Sequence, residues 1–467
     1  MENLKNKKIL FIFGHGGMEI LTLKIAKELE KKWQTRSYFS GGSQGGDQFL
    51  IKQGISSENI HTAVYSDSIK NFTKPNLEFI IKSEGKYGFN CWDIWQISAP
   101  RKKKRLKFST NKVLYWMEYY IRETEACLKR FNPDYVIFYG IASFAGVILY
   151  KMLLHHKIGV LEIVNSRIPN RFTINDSLEN KWPLLVKEYN QIKKRTLSSE
   201  EIKKAEDFII GFQEKCFKPD GVGKRKTSLK KTVKKYVYYT KVLMYRKQLP
   251  DLRQLIWPFA NKLLDYSGTF ELPIRGEKYV YFPLHVNPEV STSYYGKWYV
   301  NQLELIENIS RSIPADYMLY VKEHPFNYSS RSLYFRKQIK KFPNVRLISP
   351  HANSMELTKR SGLVLTITGT TGWEAILLQK PVITFGDVYY NLFDEVINVR
   401  DIRKLPLLIK SKLDSKIDKD KTLKFVISVF NSTFPGMGVM PGNCAESLIN
   451  KNISLIVEGI EKYLNKK

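Results

Sequence analysis

A strand, a turn and a helix are encoded in succession by the stretch Leu363-Val364-Leu365-Thr366-Ile367-Thr368-Gly369-Thr370-Thr371-Gly372-Trp373-Glu374-Ala375. The run Leu363 to Thr366 predicts a short buried strand, and Trp373 to Gln379 predicts a helix. The Thr/Gly residues between them are typical of an anion site, because the first free amides of a helix face the ligand with the helix dipole behind them. Gly369 and Gly372 are expected to take positive φ and to admit a ligand close to the backbone. A plain helix cap is the alternative interpretation.

Two further predicted strands end in polar residues that can bind a ligand. The stretch Tyr279 to His285 ends in a histidine, and Tyr317 to Lys322 leads into Glu323-His324-Pro325. In an open α/β sheet the ligand lies beyond the carboxyl ends of the strands. We therefore expect one ligand site, with Pro325 in the first turn of a following helix and His324 directed at the ligand. A histidine satisfied by a backbone carbonyl is the alternative for His324.

The alternation of strands and helices extends over much of the chain. Lys7 to Phe13 predicts a first strand, Gly14-His15-Gly16-Gly17 a tight turn, and Met18 to Trp33 a helix. The pattern continues with the helix Val113 to Phe131, the strand Tyr135 to Tyr139, the helix Ile141 to His155 and the strand Gly159 to Val164. We predict the α/β class with two Rossmann-like, doubly wound domains. The glycine spacing does not match the dinucleotide fingerprint, so no nicotinamide cofactor is expected.

The predicted domain boundaries follow changes in this pattern. A chain of 467 residues suits two cores rather than one. Residues 1–196 form the first domain, 197–272 a basic helical insert and 273–435 the second domain. Residues 436–467 hold a glycine-rich loop and a final helix, which starts at about Cys444 or Ala445 and ends at Leu464.

The second predicted domain resembles a known family. The resemblance rests on Phe282 to Glu289, Glu323-His324-Pro325, Gly369 to Ala375, Pro381-Val382-Ile383 and Phe385-Gly386. These motifs are similar to those of bacterial capsule polysaccharide biosynthesis proteins, a family that includes Kdo transferases and resembles the GT-B glycosyltransferases. The resemblance is good over roughly residues 275–395 and loose elsewhere.

This resemblance implies a glycosyltransferase in which two Rossmann-like domains face a cleft and the final helix crosses back to the first domain. No metal is expected, because there is no Asp-x-Asp pair in a convincing loop and a helix dipole can neutralise the phosphate. The donor would be a nucleotide sugar, CMP-linked as in transferases of Kdo and sialic acid, with UDP- and GDP-sugars as open alternatives. The acceptor would be a glycan or glycolipid, and no cofactor is required. The donor would be bound by His285, Lys322, Pro325, Thr368, Gly369, Thr370, Thr371, Gly372 and Glu374, the last of these at the ribose hydroxyls.

The catalytic half of such a site is expected in the first domain. Leu161 to Asp176 looks like a degenerate form of the family's Glu-Asn-Gly-x-x-Arg-Pro loop, without the glycine and with altered spacing. Glu162 is the predicted acid or base, and Arg167 or Arg171 would hold a sugar carboxylate. The predicted catalytic set is Glu162, His324 and Arg167. The cleft that binds the acceptor would be lined by Gly14, His15, Gly16, Gly17, Arg171 and Asp176. A solvated charged loop remains the alternative.

Composition indicates where the protein acts and what it meets. Lys and Arg number 75 against 45 Asp and Glu, which leaves a net charge of +30. A lysine-rich proteome is an alternative explanation of this charge. The basic run 101–105 and the Lys/Tyr stretch 223–247 suit an anionic membrane surface, with a merely solvated face as the alternative. No nucleic-acid module accompanies them, so nucleic acid is not expected as a partner. The sequence has no long apolar run and no clustered cysteines, which predicts a cytoplasmic protein at the inner face of the membrane.

Two rival functions remain open at the level of sequence. A CDP-polyol phosphotransferase of teichoic-acid type would share the fold and the phosphate turn. A non-catalytic subunit that contacts other capsule biosynthesis proteins would share the fold without turnover. The sequence does not define the sugar, the linkage or the acceptor.

Overall fold

The computed structural model of this chain describes residues 4–13, 18–41, 44–62, 73–98, 109–140, 142–217, 269–286, 289–325, 331–438 and 448–466. The chain divides into two compact units. The first unit comprises Met1–Leu197, Ser293–Tyr295 and Lys424–Lys467, and the second comprises Ser198–Thr292 and Gly296–Leu423. The chain therefore returns to the first unit at Lys424, rather than at residue 436, and the segment predicted as an insert is counted with the second unit.

The first unit is built on a seven-stranded sheet. Its strands are β1 (Lys8–Phe13), β2 (Arg36–Gly41), β3 (Ile60–Thr62), β4 (Tyr135–Phe138), β5 (Gly159–Asn165), β6 (Arg171–Asn175) and β13 (Phe434–Pro435). They lie in the order β13-β6-β5-β4-β1-β2-β3. The pairs among β1 to β5 are parallel, whereas β6 runs antiparallel to β5 and to β13. This is a doubly wound sheet with an antiparallel extension at one edge.

Helices cover this sheet and close its core. They are α1 (Met18–Trp33), α2 (Gln44–Lys52), α3 (Leu77–Tyr87), α4 (Cys91–Ser98), α5 (Thr110–Phe131), α6 (Phe144–His155), α7 (Pro183–Ile192), α15 (Lys419–Asn431, whose first residues belong to the second unit) and α16 (Asn450–Lys466). Ile456 and Ile460 of α16 are fully buried in the same core as Phe11 of β1 and Leu21 of α1. Residues near the end of the chain thus complete the first unit's core.

The second unit is built on a six-stranded parallel sheet. Its strands are β7 (Tyr279–Pro283), β8 (Met318–Lys322), β9 (Val345–Ile348), β10 (Leu363–Thr366), β11 (Val382–Thr384) and β12 (Val396–Asn398). Their order is β12-β11-β10-β7-β8-β9, which is the 3-2-1-4-5-6 order of a Rossmann fold. The direction of winding reverses between β7 and β10. The carboxyl ends of these two strands are where such sheets bind ligands.

The helices of the second unit follow the strands in alternation. They are α8 (Ser199–Phe217), α9 (Val290–Ser293, which straddles the division between units), α10 (Gln302–Ser310), α11 (Leu333–Ile339), α12 (Ser354–Arg360), α13 (Thr370–Leu377) and α14 (Leu405–Lys412). All four residues of β10 are buried, as are the first four of β7, because helices cover both faces of the sheet. The two sheets confirm the predicted α/β class with two Rossmann-like domains.

Several element boundaries differ from the sequence predictions. Leu161 to Asp176 is a hairpin of β5 and β6 rather than a loop, and Asn170 between the strands has a φ of 54°. The last helix starts at Asn450 rather than at Cys444 or Ala445. Pro325 lies in a turn, and the next described helix begins only at Leu333, so Pro325 is not placed in the first turn of that helix.

The described part of the chain contains no helix that is both long and apolar enough to cross a lipid bilayer.

Candidate functional site

His285 joins the two strands at which the winding of the second sheet reverses. It is separated from the end of β7 by Leu284, and its Nε2 lies 3.2 Å from the hydroxyl oxygen of Thr366, the last residue of β10. The backbone N–H of Thr368 also donates to Nε2, over 3.3 Å. Because an amide can only donate, Nε2 is the acceptor and the imidazole proton sits on Nδ1. The ring thus fixes the start of the Thr/Gly turn from the side of β7.

The buried His285 ring stays neutral. Burial, followed by the charges of His324 and Arg331, lowers the pKa of His285 to about 3. A neutral ring is also what the hydrogen bond from Thr368 requires. His285 was predicted to bind the nucleotide, but its Nε2 is occupied by the protein itself. The structure places it behind the turn, as a residue that shapes the turn.

This neutral histidine should make folding stability sensitive to acid. An unfolded histidine takes up a proton near pH 6.5, whereas folded His285 resists protonation down to about pH 3. Its contribution is therefore fully present above about pH 6.5 and is lost as the pH falls toward 3. We expect it to cost about 1.4 kcal/mol of unfolding free energy between about pH 7.5 and pH 5.5.

Urea denaturation of the wild type and His285→Gln at these two pH values measures that contribution. The variant should be less stable at both pH values but should lose less stability on acidification. The comparison is needed because burial also lowers the pKa of His61 and of His324. Equal acid losses in the two proteins would contradict the assignment.

The Thr/Gly turn is the first turn of α13. Gly369 is the N-cap of this helix, with a φ of −71°, and Thr370 is its first residue. The helix therefore starts three residues before the predicted Trp373. The expected positive φ at Gly369 and Gly372 is wrong, because Gly369 is extended and Gly372 is helical.

Close packing explains why both positions are glycine. A Cβ on Gly369 would lie 2.7 Å from Thr366 Oγ1 and 3.0 Å from His285 Nε2. A Cβ on Gly372 would lie 2.4 Å from the hydroxyl oxygen of Tyr390 and 2.6 Å from its ring. The glycines let the helix start approach its own protein scaffold rather than a ligand.

Only part of this helix start is available to an anion. The N–H of Thr368 donates to His285, that of Gly369 donates to Thr366 Oγ1 over 3.1 Å, and that of Gly372 donates to the Gly369 carbonyl. The Thr368 hydroxyl, predicted to bind the donor, instead donates to the carbonyl of Ser291. Within the described ranges, the amides of Thr370 and Thr371 make no hydrogen bond, as expected for the first two residues of a helix.

A buried ion pair lies beside this turn. Glu323 is fully buried, and its carboxylate oxygens lie 3.1 and 3.0 Å from Nε of Arg331, whose side chain is 8% exposed. Arg331 also donates through a second nitrogen to the carbonyl of His285, over 3.0 Å. The pair thus fixes the chain that follows β7 to the chain that follows β8. Neither residue is among the site residues predicted from the sequence.

His324 and Lys322 flank Glu323 in different environments. His324 is half-buried, and burial followed by the charge of Lys322 lowers its pKa. Lys322 is buried and donates to the carbonyl of Pro350 over 3.1 Å. Burial lowers the pKa of Lys322 to about 8. The His324 side chain is therefore more accessible than that of Lys322.

Glu374 lies in α13, beyond its first turn, and its side chain is half-buried. It is close enough to the buried Tyr281 for its charge to raise the pKa of that hydroxyl, after the larger effect of burial. The structure therefore brings Glu374 to the strands beneath the turn. Its predicted contact with a ribose stays a prediction.

The first unit holds Glu162 within a strand. Glu162 lies in β5, is 6% exposed, and accepts a hydrogen bond of 2.9 Å from the side-chain amide of Asn175 in β6. Its charge also raises the pKa of Tyr295, after the larger effect of burial. A buried carboxylate held by an amide suits an acid or base. Glu162 lies in the strand predicted from Gly159 to Val164, rather than in the loop that the family resemblance suggested.

Three other charged residues in or next to this hairpin have different surroundings. The Arg171 guanidinium donates to the carbonyls of Phe430 and Thr433 and to the Thr433 hydroxyl, which fastens the hairpin to the chain before β13 rather than to a sugar. Asp176 lies close enough to Tyr463 of α16 for its charge to raise the pKa of that hydroxyl, after the larger effect of burial. Arg167 is exposed in the hairpin turn. The structure thus gives Arg171 and Asp176 structural partners.

Several predicted features fall outside the described residues. These are Gly14, His15, Gly16 and Gly17, the basic run 101–105 and the Lys/Tyr stretch 223–247. Among the described residues, no group of three His, Cys, Asp or Glu side chains could hold a metal ion.

Comparison with known proteins agrees with the motifs of the second unit. Residues 272–393 match the model of a family described as capsule polysaccharide biosynthesis protein. The predicted family resemblance is confirmed for this segment. We call residues 272–393 the capsule-synthesis segment; it contains β7 to β11, the His285 ring, the Glu323–Arg331 pair and the start of α13.

A curated relative of the chain is the protein FixF of Sinorhizobium fredii. It is 29% identical over 133 residues, which are 27% of this chain and 31% of that protein. The match therefore spans about a third of the relative's length.

Solved structures with a similar fold include enzymes that use sugars. A β-Kdo 2,7 transferase, KpsC of Thermosulfurimonas dismutans, is 12% identical, with 80% of this chain and 97% of that chain covered and a TM-score of 0.36. The UDP-GlcNAc 2-epimerase of Neisseria meningitidis, bound to UDP-GlcNAc, is 16% identical, with 98% and 100% covered and a TM-score of 0.31. At these values the likeness carries no argument about substrate.

Proposed function

We propose that this protein is a glycosyltransferase of capsular polysaccharide biosynthesis that binds a nucleotide-sugar donor on its second unit. The observation that carries the proposal is the start of α13. It lies at the point where a Rossmann sheet reverses its winding, within the capsule-synthesis segment. In the described part of the chain, the amides of the exposed Thr370 and of the largely buried Thr371 make no hydrogen bond there. Two amides with a helix dipole behind them form a phosphate site.

The number of available amides supports a donor with a single phosphate. The N–H groups of Thr368, Gly369 and Gly372 are bonded within the protein, which leaves two amides and the hydroxyl of the exposed Thr370. His324, which is close enough to the His285 ring to lower its pKa, is the proposed further group. This set matches one phosphoryl group better than a diphosphate. We therefore propose a CMP-linked sugar as the donor, with Glu374 accepting hydrogen bonds from the ribose.

The proposed reaction transfers a sugar from phosphate to an acceptor hydroxyl. The acceptor oxygen forms a bond to the anomeric carbon, and the bond between that carbon and the phosphate oxygen breaks with its electron pair leaving on CMP. The Thr370 and Thr371 amides and His324 stabilise the departing phosphate. The acceptor proton passes to a carboxylate, for which Glu162 is the candidate.

A thermal-shift screen of the intact protein with CMP, UDP, GDP and CDP tests the donor class. We expect CMP to raise the melting temperature most, because a ligand that binds only the folded state stabilises it. Incubation with labelled CMP-Kdo and CDP-glycerol then separates the enzyme classes. A glycosyltransferase releases CMP from CMP-Kdo, whereas transfer of the phosphorus label from CDP-glycerol would identify a polyol phosphotransferase.

His324→Ala tests whether the protein catalyses sugar transfer or only binds the nucleotide sugar. We expect the variant to release CMP from CMP-Kdo roughly 10²–10³-fold more slowly, as for the loss of one group that stabilises the leaving charge. His351→Ala, at an exposed histidine of the same unit, is the matched control and should retain the wild-type rate. If His324→Ala left capsule production in cells unchanged, a non-catalytic subunit would be the better description.

The remaining partners are proposed from the composition of the chain. The charge of +30 suits a protein that works at the anionic inner face of the membrane, where glycolipid acceptors and other capsule biosynthesis proteins are found. Binding to vesicles with and without anionic lipid at physiological salt measures this property.

A further inference from the structure

Tyr390 contacts the start of α13 at two points. It lies in a short 3-10 turn, Tyr389–Leu392, that follows β11, and it is 1% exposed. Its hydroxyl donates to the carbonyl of Gly369, the N-cap residue of α13. Its ring occupies the space in which a Cβ of Gly372 would lie. One buried side chain thus meets the two glycines of the turn.

Tyr390 is itself held in place from β11 and β12. The next residue, Asn391, accepts a hydrogen bond of 2.7 Å from the Thr384 hydroxyl and donates to the Gly386 carbonyl over 2.9 Å. Asn398 of β12 donates to the same hydroxyl and the same carbonyl. The backbone that carries Tyr390 is therefore fixed to the carboxyl ends of two strands.

These contacts complement those of His285. His285 and Thr366 hold the turn from β7 and β10 through the amides of Thr368 and Gly369. Tyr390 holds the same turn from β11 through the carbonyl of Gly369. Since that carbonyl is bonded to the N–H of Gly372, the hydroxyl of Tyr390 also fixes the first turn of the helix. The peptide units of Thr370 and Thr371 lie between these fixed points.

We infer that Tyr390 is a positioning residue of the anion site, which aims the Thr370 and Thr371 amides without touching the ligand. The identity of the ligand rests on the proposed function, whereas the fixing of the helix start by Tyr390 does not. A helix terminus that is fixed before binding loses less conformational entropy when the phosphate arrives. Removal of the hydroxyl should therefore weaken phosphate binding through the amides, while the ring keeps its place.

The test compares Tyr390→Phe with Tyr279→Phe. Tyr279 is also buried in the second unit, and its hydroxyl also donates to a backbone carbonyl, that of Leu357, over 2.8 Å. It lies at the amino end of β7, away from the turn. The two variants remove the same kind of hydrogen bond, so a general loss of stability should affect both.

Two measurements are made on the intact protein. The first is amide hydrogen exchange without ligand, in peptides that cover residues 366–374. We expect this segment to exchange several-fold faster in Tyr390→Phe than in Tyr279→Phe. The second is the dissociation constant of CMP, which we expect to rise roughly 3–10-fold in Tyr390→Phe alone, as for the loss of part of a preorganised site.

The outcomes separate this inference from the proposed function. Equal exchange in the two variants overturns the inference, as does faster exchange with an unchanged affinity for CMP. If the wild type binds none of the four nucleotides, the proposed function fails, and hydrogen exchange alone then decides whether Tyr390 fixes the turn.

Discussion

Glu323→Gln is expected to lower the free energy of unfolding of the second unit by about 3–5 kcal/mol. The substitution keeps the shape of the side chain but leaves the Arg331 guanidinium buried without a counter-charge. Arg331 is 8% exposed and Glu323 is fully buried, so water cannot replace the lost carboxylate. Denaturation by urea, followed by circular dichroism, measures the loss. We also expect loss of CMP binding, because Arg331 holds the carbonyl of His285.

An exposed pair of the same unit provides the control. Lys278 and Asp316 are joined over 3.0 Å, with side chains 62% and 61% exposed. Asp316→Asn should leave the unfolding free energy nearly unchanged, because water solvates both groups. A double variant, Glu323→Met with Arg331→Met, should be less destabilised than Glu323→Gln, since it leaves no charge buried. A double variant as unstable as the single one would show that the buried charge is not the cause.

Gly372→Ala is expected to destabilise the second unit by about 1–3 kcal/mol and to abolish CMP binding at concentrations that saturate the wild type. The new methyl group would lie 2.4 Å from the Tyr390 hydroxyl oxygen and 2.6 Å from its ring, so the helix start or the ring must move. Tyr390 is fully enclosed and bonded to Gly369, which leaves the ring little freedom. Movement of the helix start would turn the Thr370 and Thr371 amides away from the phosphate.

Gly211→Ala is the matched control for this substitution. Gly211 lies in α8 of the same unit, and a Cβ there meets no atom within 4 Å. The change should stabilise the protein by about 0.5–1 kcal/mol, because alanine favours a helix over glycine. Nucleotide affinity measured by calorimetry should be unchanged in this control. A Gly372→Ala protein that binds CMP normally would show that the helix start does not hold the phosphate.

The strands of the second unit could be predicted from sequence because burial on both faces leaves continuous apolar runs. Leu363 to Thr366 is a strand with the predicted limits, and the order of its sheet places three predicted polar ends at one edge. The start of α13 was placed too late, because threonine and glycine have low helix propensity. Their position in the first helical turn is fixed by tertiary contacts with His285 and Tyr390, which local sequence does not show.

The residues that support the site were also harder to predict, because they reach it through tertiary contacts. Arg331 meets Glu323 across eight positions, and Tyr390 meets Gly369 across 21, without a periodic pattern that relates them. The hairpin of β5 and β6 had a usable signal, since Arg171-Phe172-Thr173-Ile174-Asn175 alternates polar and apolar residues. Its charged residues led to the prediction of a loop that binds a sugar. Arg171 instead bonds Phe430 and Thr433, in the chain before β13.

The place of α16 in the first unit's core has a consequence for synthesis on the ribosome. Ile453, Ile456, Val457 and Ile460 fill a core that also contains residues of β1, a strand that precedes the whole second unit in the chain. Since domains generally fold as their residues emerge, the second unit has all of its strands available while the first still lacks this helix. The first unit is therefore completed after the second, and the part of its core that α16 covers stays exposed until residue 466 has left the exit tunnel.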